Sequence, residues 1–227
     1  MRKKSSTFTD ISSYYYNSNA KKRVLSDVDG TLVKGSLVLQ HAESMHKQGI
    51  INLGRLPEQW NADKKNEALI IELAEAYRDA ITGMKVSDLG IENFLNTICS
   101  NKNNFYSPLS RLINMQKSGH DITLVSGSPS FLVDNFGKRF GFKSAASIYS
   151  EDSLGRLTGE IKGMFNATAK REYVATLGLT SKDHVYALGD TASDVPLFEV
   201  AGYSVLVAPN HETRLSIGKT VNEIVEF

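Results

Sequence analysis

Cysteine is almost absent from this chain of 227 residues: Cys99 stands alone, so no internal disulfide is available and a reducing compartment is expected. An excess of one charge is missing as well. Lys plus Arg number 26 against 25 for Asp plus Glu, a net of +1, which supplies no overall field to draw in nucleic acid or an anionic membrane. No apolar run approaches the roughly 20 residues that a membrane helix needs. Nothing at the N-terminus pairs a basic start with an apolar stretch, so a cytoplasmic location is the expectation. The sequon Asn166-Ala167-Thr168 is then accidental, because it matters only in a secreted protein. What remains is an ordinary globular composition, 41% apolar and 22% charged, long enough for one core with a modest insertion.

Residues 1–20 are rich in Ser, Asn, Lys and Thr, carry the run Tyr14-Tyr15-Tyr16 and show no apolar period, so they read as a flexible tail. Residues 23–26 read as a strand that halts at Asp27-Val28-Asp29-Gly30-Thr31. Three helices follow, over 36–47, 63–81 and 86–99. The middle one places Leu69, Ile70, Leu73, Ala74, Tyr77 and Ile81 at three-and-four spacing. From residue 104 the rhythm alternates. Helices are expected at 109–117, 130–140, 166–177 and 194–200, and strands at 122–125, 145–149, 184–188 and 203–207, with a turn-rich strand pair around Gly155. Alternation of this kind predicts a mostly parallel sheet with helices on both faces, built from 21–35 and 104–227 and interrupted by a helical insert over 36–103.

Ligands of open parallel sheets bind beyond the carboxyl ends of the strands. Three strand ends here carry reactive groups: Asp27 with Asp29, Ser126 with Gly127, and Asp190 with Asp194. Several carboxylates cannot share a small cavity fully ionised without a cation, and all-oxygen ligation implies a hard metal, with Mg²⁺ the expectation. Asp27 is then a candidate nucleophile toward phosphorus. Asp29, two residues on, is placed to protonate the leaving oxygen and later to deprotonate water. Ser126, the Gly127 amide and Lys170 would hold the phosphoryl oxygens.

In order along the chain, Asp27-Val28-Asp29-Gly30-Thr31, Ser126, Lys170 and Gly189-Asp190-Thr191-Ala192-Ser193-Asp194 resemble the four motifs of the haloacid dehalogenase (HAD) superfamily. The resemblance implies a Rossmann-like, doubly wound α/β core with a helical C1-type cap over 36–103. The stretch Ser126-Gly127-Ser128-Pro129-Ser130-Phe131-Leu132 and residues 190–209 are similar to subfamily IB, the phosphoserine-phosphatase-like hydrolases. Roles follow from the resemblance: Asp27 as nucleophile and metal ligand, Asp29 as acid/base with its carbonyl on the metal, Ser126 and Lys170 on phosphate, Asp190 on Mg²⁺. Asp194 would support the metal through water or orient Lys170. The acid at Asp29 favours phosphotransfer over carbon–halogen cleavage.

One departure bears on substrate. Phosphoserine phosphatases carry Glu shortly after the first motif, where this chain has Lys34-Gly35-Ser36, so a small phosphorylated metabolite other than phosphoserine is expected. A phosphotransferase or mutase of the same superfamily is the alternative, and a non-enzymatic phospho-acceptor domain a more distant one. The other candidates fall away. Gly218-Lys219-Thr220 echoes a P-loop, but Thr213 stands where that motif needs Gly. His41, His46, His120, His184 and His211 have no metal-ligand spacing, and Trp60, Arg55 and Arg78 read as structural residues of the insert.

Overall fold

The computed structural model describes residues 22–57, 59, 67–163, 166–179 and 184–227. The tail expected over 1–20, Trp60, and the start of the helix expected from Asp63 lie outside the described residues.

Among the described residues the strands form one seven-stranded sheet: β1 (Arg23–Ser26), β2 (Asp121–Pro129), β3 (Lys143–Glu151), β4 (Leu157–Lys162), β5 (Val185–Gly189), β6 (Tyr203–Val207) and β7 (Glu223–Val225). Their order is β4-β3-β2-β1-β5-β6-β7. Every pairing is parallel except the β3–β4 hairpin. The chain builds outward from β1 to β3 on one side, then crosses back to β5 on the other. The reversal falls between β1 and β5, where an open sheet forms its ligand crevice. Register fixes what meets there, since Ser26 pairs with Leu124 on one flank and with Leu188 on the other.

Both faces of the sheet are covered, as a parallel sheet requires. Alternation assigns them. Val24, Ile122, Leu124, Tyr186, Leu188, Val205 and Val207 point into one apolar layer, while Leu25, Val125, Val185, Ala187 and Leu206 point into the other. The first layer is closed by α1 (Leu37–Lys47), α2 (Glu67–Ile81), α3 (Ile91–Ser100), α4 (Ser107–Lys117) and α5 (Ser130–Phe140). The second is closed by Val174 on α6 (Ala167–Thr176), Leu197 and Phe198 on α7 (Val195–Glu199), and Ile217 on α8 (His211–Ile217). No helix of the described residues is long and apolar enough to cross a membrane.

Three local features depart from the sequence reading, each for a physical reason. The helix expected over 86–99 is split, because Gly90 takes a left-handed φ of 63° between a 3₁₀ turn (Val86–Leu89) and α3. β2 continues past Val125 to Pro129, and its pairing with β3 skips from Ser126 to Pro129, a bulge that pushes Gly127 and Ser128 out of the ladder. The insert also pairs with the hairpin. The Gly83 amide donates to the Leu157 carbonyl at 2.7 Å and the Leu157 amide to the Met84 carbonyl at 2.9 Å. Movement of α2 must therefore break these bonds or carry the hairpin with it. α8 and β7, unread in the sequence, are too short to show a period.

Candidate active site

Asp27 follows β1 directly, and its amide donates to the Leu188 carbonyl of β5 at 3.0 Å, so the sheet ladder itself places the residue. Its carboxylate is buried, as are Lys170 and Asp194. Lys170 Nζ donates to Asp27 Oδ1 at 2.9 Å and to Asp194 Oδ1 at 2.6 Å. The lysine reaches this point from the first turns of α6, a helix started by Asn166, whose side chain accepts from the Ala169 amide.

Asp194 is fully engaged. Its Oδ2 accepts from the amides of Asp190 and Thr191 at 3.0 and 3.1 Å, forming a capping box with Thr191 at the turn after β5. One oxygen thus folds the loop and the other holds Lys170, which makes it a positioning residue for the ammonium. Asp190 accepts from the Thr31 hydroxyl at 3.2 Å. Its other oxygen needs Gly30: a Cβ there would stand 2.0 Å from Asp190 Oδ2, and φ at Gly30 is 77°.

Asp29 is held by three donors. The Leu37 amide reaches Oδ1 at 2.5 Å, and the hydroxyls of Ser126 and Ser128 reach Oδ2 at 2.9 and 2.7 Å. The Ser126 hydroxyl is therefore turned toward a carboxylate, and it also accepts the Ser128 amide at 3.0 Å. The structure brings the predicted residues to one cluster at the strand ends, made of two neighbouring hydrogen-bonded groups, Asp27 with Lys170, Asp194 and Asp190, and Asp29 with Ser126, with Gly127 on the adjoining bulge. Thr31, Ser128 and Thr191 belong to it too, although the sequence reading gave them no part. No regular alternation signals Ser128, because the bulge after Ser126 interrupts the strand's period.

Electrostatics set the charge state. Burial pushes the Asp27 carboxyl up to about 8, against the pull of Lys170 and with added repulsion from Asp194 and Asp29. Asp190 is raised well above the usual carboxylate range, first by burial and then by Asp27. Burial opposes the Lys170 ammonium, but Asp27 and Asp194 outweigh it and hold the amine above its ordinary value. Oxygens of Asp27, Asp190 and Asp194 lie within 4.8 Å of one another. This donor set suits a hard divalent cation, because it is all carboxylate and its full ionisation would leave more negative charge than Lys170 balances.

The chain is similar to known proteins in both sequence and fold. A probable phosphatase of Mycobacterium tuberculosis is 24% identical over 211 residues, which cover 86% of this chain and 71% of that protein. Phosphoserine phosphatase of Archaeoglobus fulgidus is 32% identical over 95 residues, 40% of this chain; the match spans only 28% of the archaeal protein's length. A crystal structure of phosphoserine phosphatase in apo form shares the fold with a TM-score of 0.61 at 17% identity, covering 92% of this chain and 94% of the other. The family description of haloacid dehalogenase-like hydrolases matches residues 24–199, from the first residues of β1 to the end of α7, and the chain belongs to that family.

Proposed function

We propose that this hydrolase is a Mg²⁺-dependent phosphatase that cleaves a small phosphomonoester through a phosphoryl group carried on Asp27. The observation that supports it most is the pair of acids two residues apart beyond β1, Asp27 on the Lys170 ammonium and Asp29 on the hydroxyls of the β2 bulge. Each acid has its own environment, as two different roles require.

In the first half-reaction an Asp27 oxygen attacks phosphorus, the new O–P bond forms, and the bond to the alcohol oxygen breaks. Protonated Asp29 passes its proton to that leaving oxygen. In the second, Asp29 takes a proton from water, whose oxygen attacks phosphorus and breaks the bond to Asp27, freeing phosphate. Lys170 keeps its charge throughout and offsets the negative charge on the transferring group. The Gly127 amide and the Ser126 hydroxyl take phosphoryl oxygens, and Ser126 gives up Asp29 to do so. Asp27, Asp190 and the main-chain carbonyl of Asp29 would hold Mg²⁺, with Asp194 supporting the set, and the bound ion would supply further neutralisation of phosphoryl charge. The helices of 36–103 act as a cap that excludes bulk water and sets specificity over the 21–35 and 104–227 core.

Phosphate release from a panel of phosphomonoesters tests this reading. Turnover with Mg²⁺ that is lost in excess EDTA and in Asp27→Asn is expected. Full activity in Asp27→Asn would overturn the role of Asp27. Phosphate appearing without any added acceptor alcohol separates hydrolysis from a transferase.

A further inference from the structure

A cavity of about 420 Å³ opens beside Gly127, the residue whose amide the proposed reaction places on the phosphoryl group. One wall is α2, where Ile71, Ala74, Glu75 and Arg78 repeat at three-and-four spacing on a single face. The opposite wall comes from the β3–β4 hairpin, where Tyr149 and Ile161 are directly paired across the strands and so lie on one side of it. Phe131 meets the Tyr149 ring edge-on at 5.5 Å and holds it in place.

The chemistry of these walls is mostly apolar. Ile71 is 60% exposed although it lines the cavity, so among the described residues a large aliphatic side chain here stands open to solvent. Of the charged groups that line it, Arg78 is engaged by Asp79 at 2.8 Å, and Glu75 is exposed and keeps its hydration. A zwitterionic amino-acid alcohol would lose hydration against Ile71, Ala74, Tyr149 and Ile161 and gain little in return. The space also exceeds what a three-carbon alcohol fills, and lies in the range of sites that enclose larger ligands.

The geometry points to a phosphomonoester with an apolar body as the substrate class, the phosphoryl group at Asp27 and Gly127 and the body between α2 and the β3–β4 hairpin. Ile71, Ala74 and Tyr149 are the specificity-determining residues. This deepens the phosphatase reading and rests on it for the position of the phosphoryl group.

The test is calorimetric binding, with Mg²⁺ present, of n-hexylphosphonate and of the phosphonate analogue of phosphoserine. The apolar phosphonate is expected to bind about tenfold tighter or better, from the apolar area it buries. Ala74→Phe, which fills the cavity, and Ile71→Asn, at an exposed position that folding tolerates, should each erase most of that advantage by weakening the apolar phosphonate far more than the zwitterionic one. Equal or reversed preference, failure of both phosphonates to bind, or equal losses for both in the two variants would overturn the inference. Hydrolysis of hexyl phosphate is measured alongside. Tight apolar binding without any turnover would contradict the phosphatase reading and leave the assignment of the cavity standing.

Discussion

Two buried polar sites among the described residues, one at the strand ends and one in the helical insert, are solved in opposite ways. At the strand ends, charged groups are buried together: Asp27, Lys170 and Asp194 are joined at 2.9 and 2.6 Å, with burial pushing Asp27 up to about 8. In the helical insert a neutral group is buried alone. His41 on α1 lies between the Tyr77 hydroxyl of α2 at 2.9 Å and the Leu89 carbonyl at 2.8 Å, beside the Phe94 ring at 4.9 Å. Burial drives its pKa down to about 4, so the ring is uncharged at neutral pH and serves as a peg between helices. Buried ion pairs are poor stabilisers for their cost, whereas a satisfied neutral imidazole is a cheap one. On the proposed reading, the expensive arrangement marks the chemistry and the cheap one the scaffold.

The largest effect that distinguishes the two regions is expected on activity. Asp27→Asn should lower turnover by about a thousandfold or more while the fold survives, whereas a substitution at His41 should change activity only through folding. Equal activity losses from both, in folded protein, would erase the distinction.

Next is Lys170→Met, which leaves Asp27 and Asp194 buried against each other. A loss of about 3 kcal/mol in urea unfolding at neutral pH is expected, growing as pH rises above about 8, where Asp27 of the parent ionises beside Lys170 and Asp27 of the variant has no ammonium to ionise against. A variant as stable as the parent at pH 7 would show that the ammonium is not what holds the cluster.

At His41 the sign is reversed. Its folded pKa lies below the ordinary 6.5, so proton uptake favours the unfolded chain. Stability from this residue is complete above pH 6.5 and declines as pH falls toward 4, by about 3 kcal/mol at most. His41→Gln should flatten that slope in denaturation series run at several pH values. An unchanged slope would place the acid sensitivity elsewhere.

The smallest effect is Gly30→Ala. The added Cβ meets Asp190 Oδ2 and the left-handed backbone is disfavoured, so about 1–2 kcal/mol of stability should be lost, together with part of the activity.

The sheet was legible because the apolar runs of three buried strands, β1, β2 and β5, halted in Asp, Ser or Gly, and the acids themselves were legible because Asp27, Asp29, Asp190 and Asp194 sat at two of those ends. Their partners were harder to read. Ser128 reaches Asp29 only because β2 bulges after Ser126, and Thr31 reaches Asp190 across 159 positions of chain, which no local period encodes. The Gly83–Leu157 pairing and the split at Gly90 were hidden for the same reason: both depend on what the insert packs against. Arg78, read as structural from sequence, lines the cavity beside Gly127 and is held there by Asp79.

The most direct test of the central claim is to quench the reaction in acid during turnover of a good ester substrate and map the protein by mass spectrometry. One phosphoryl group on the peptide carrying Asp27, present in the parent, absent in Asp27→Asn and lost on brief exposure to hydroxylamine, is the predicted result. Steady turnover with Asp27 never modified, or a phosphoryl group on another residue, would contradict it.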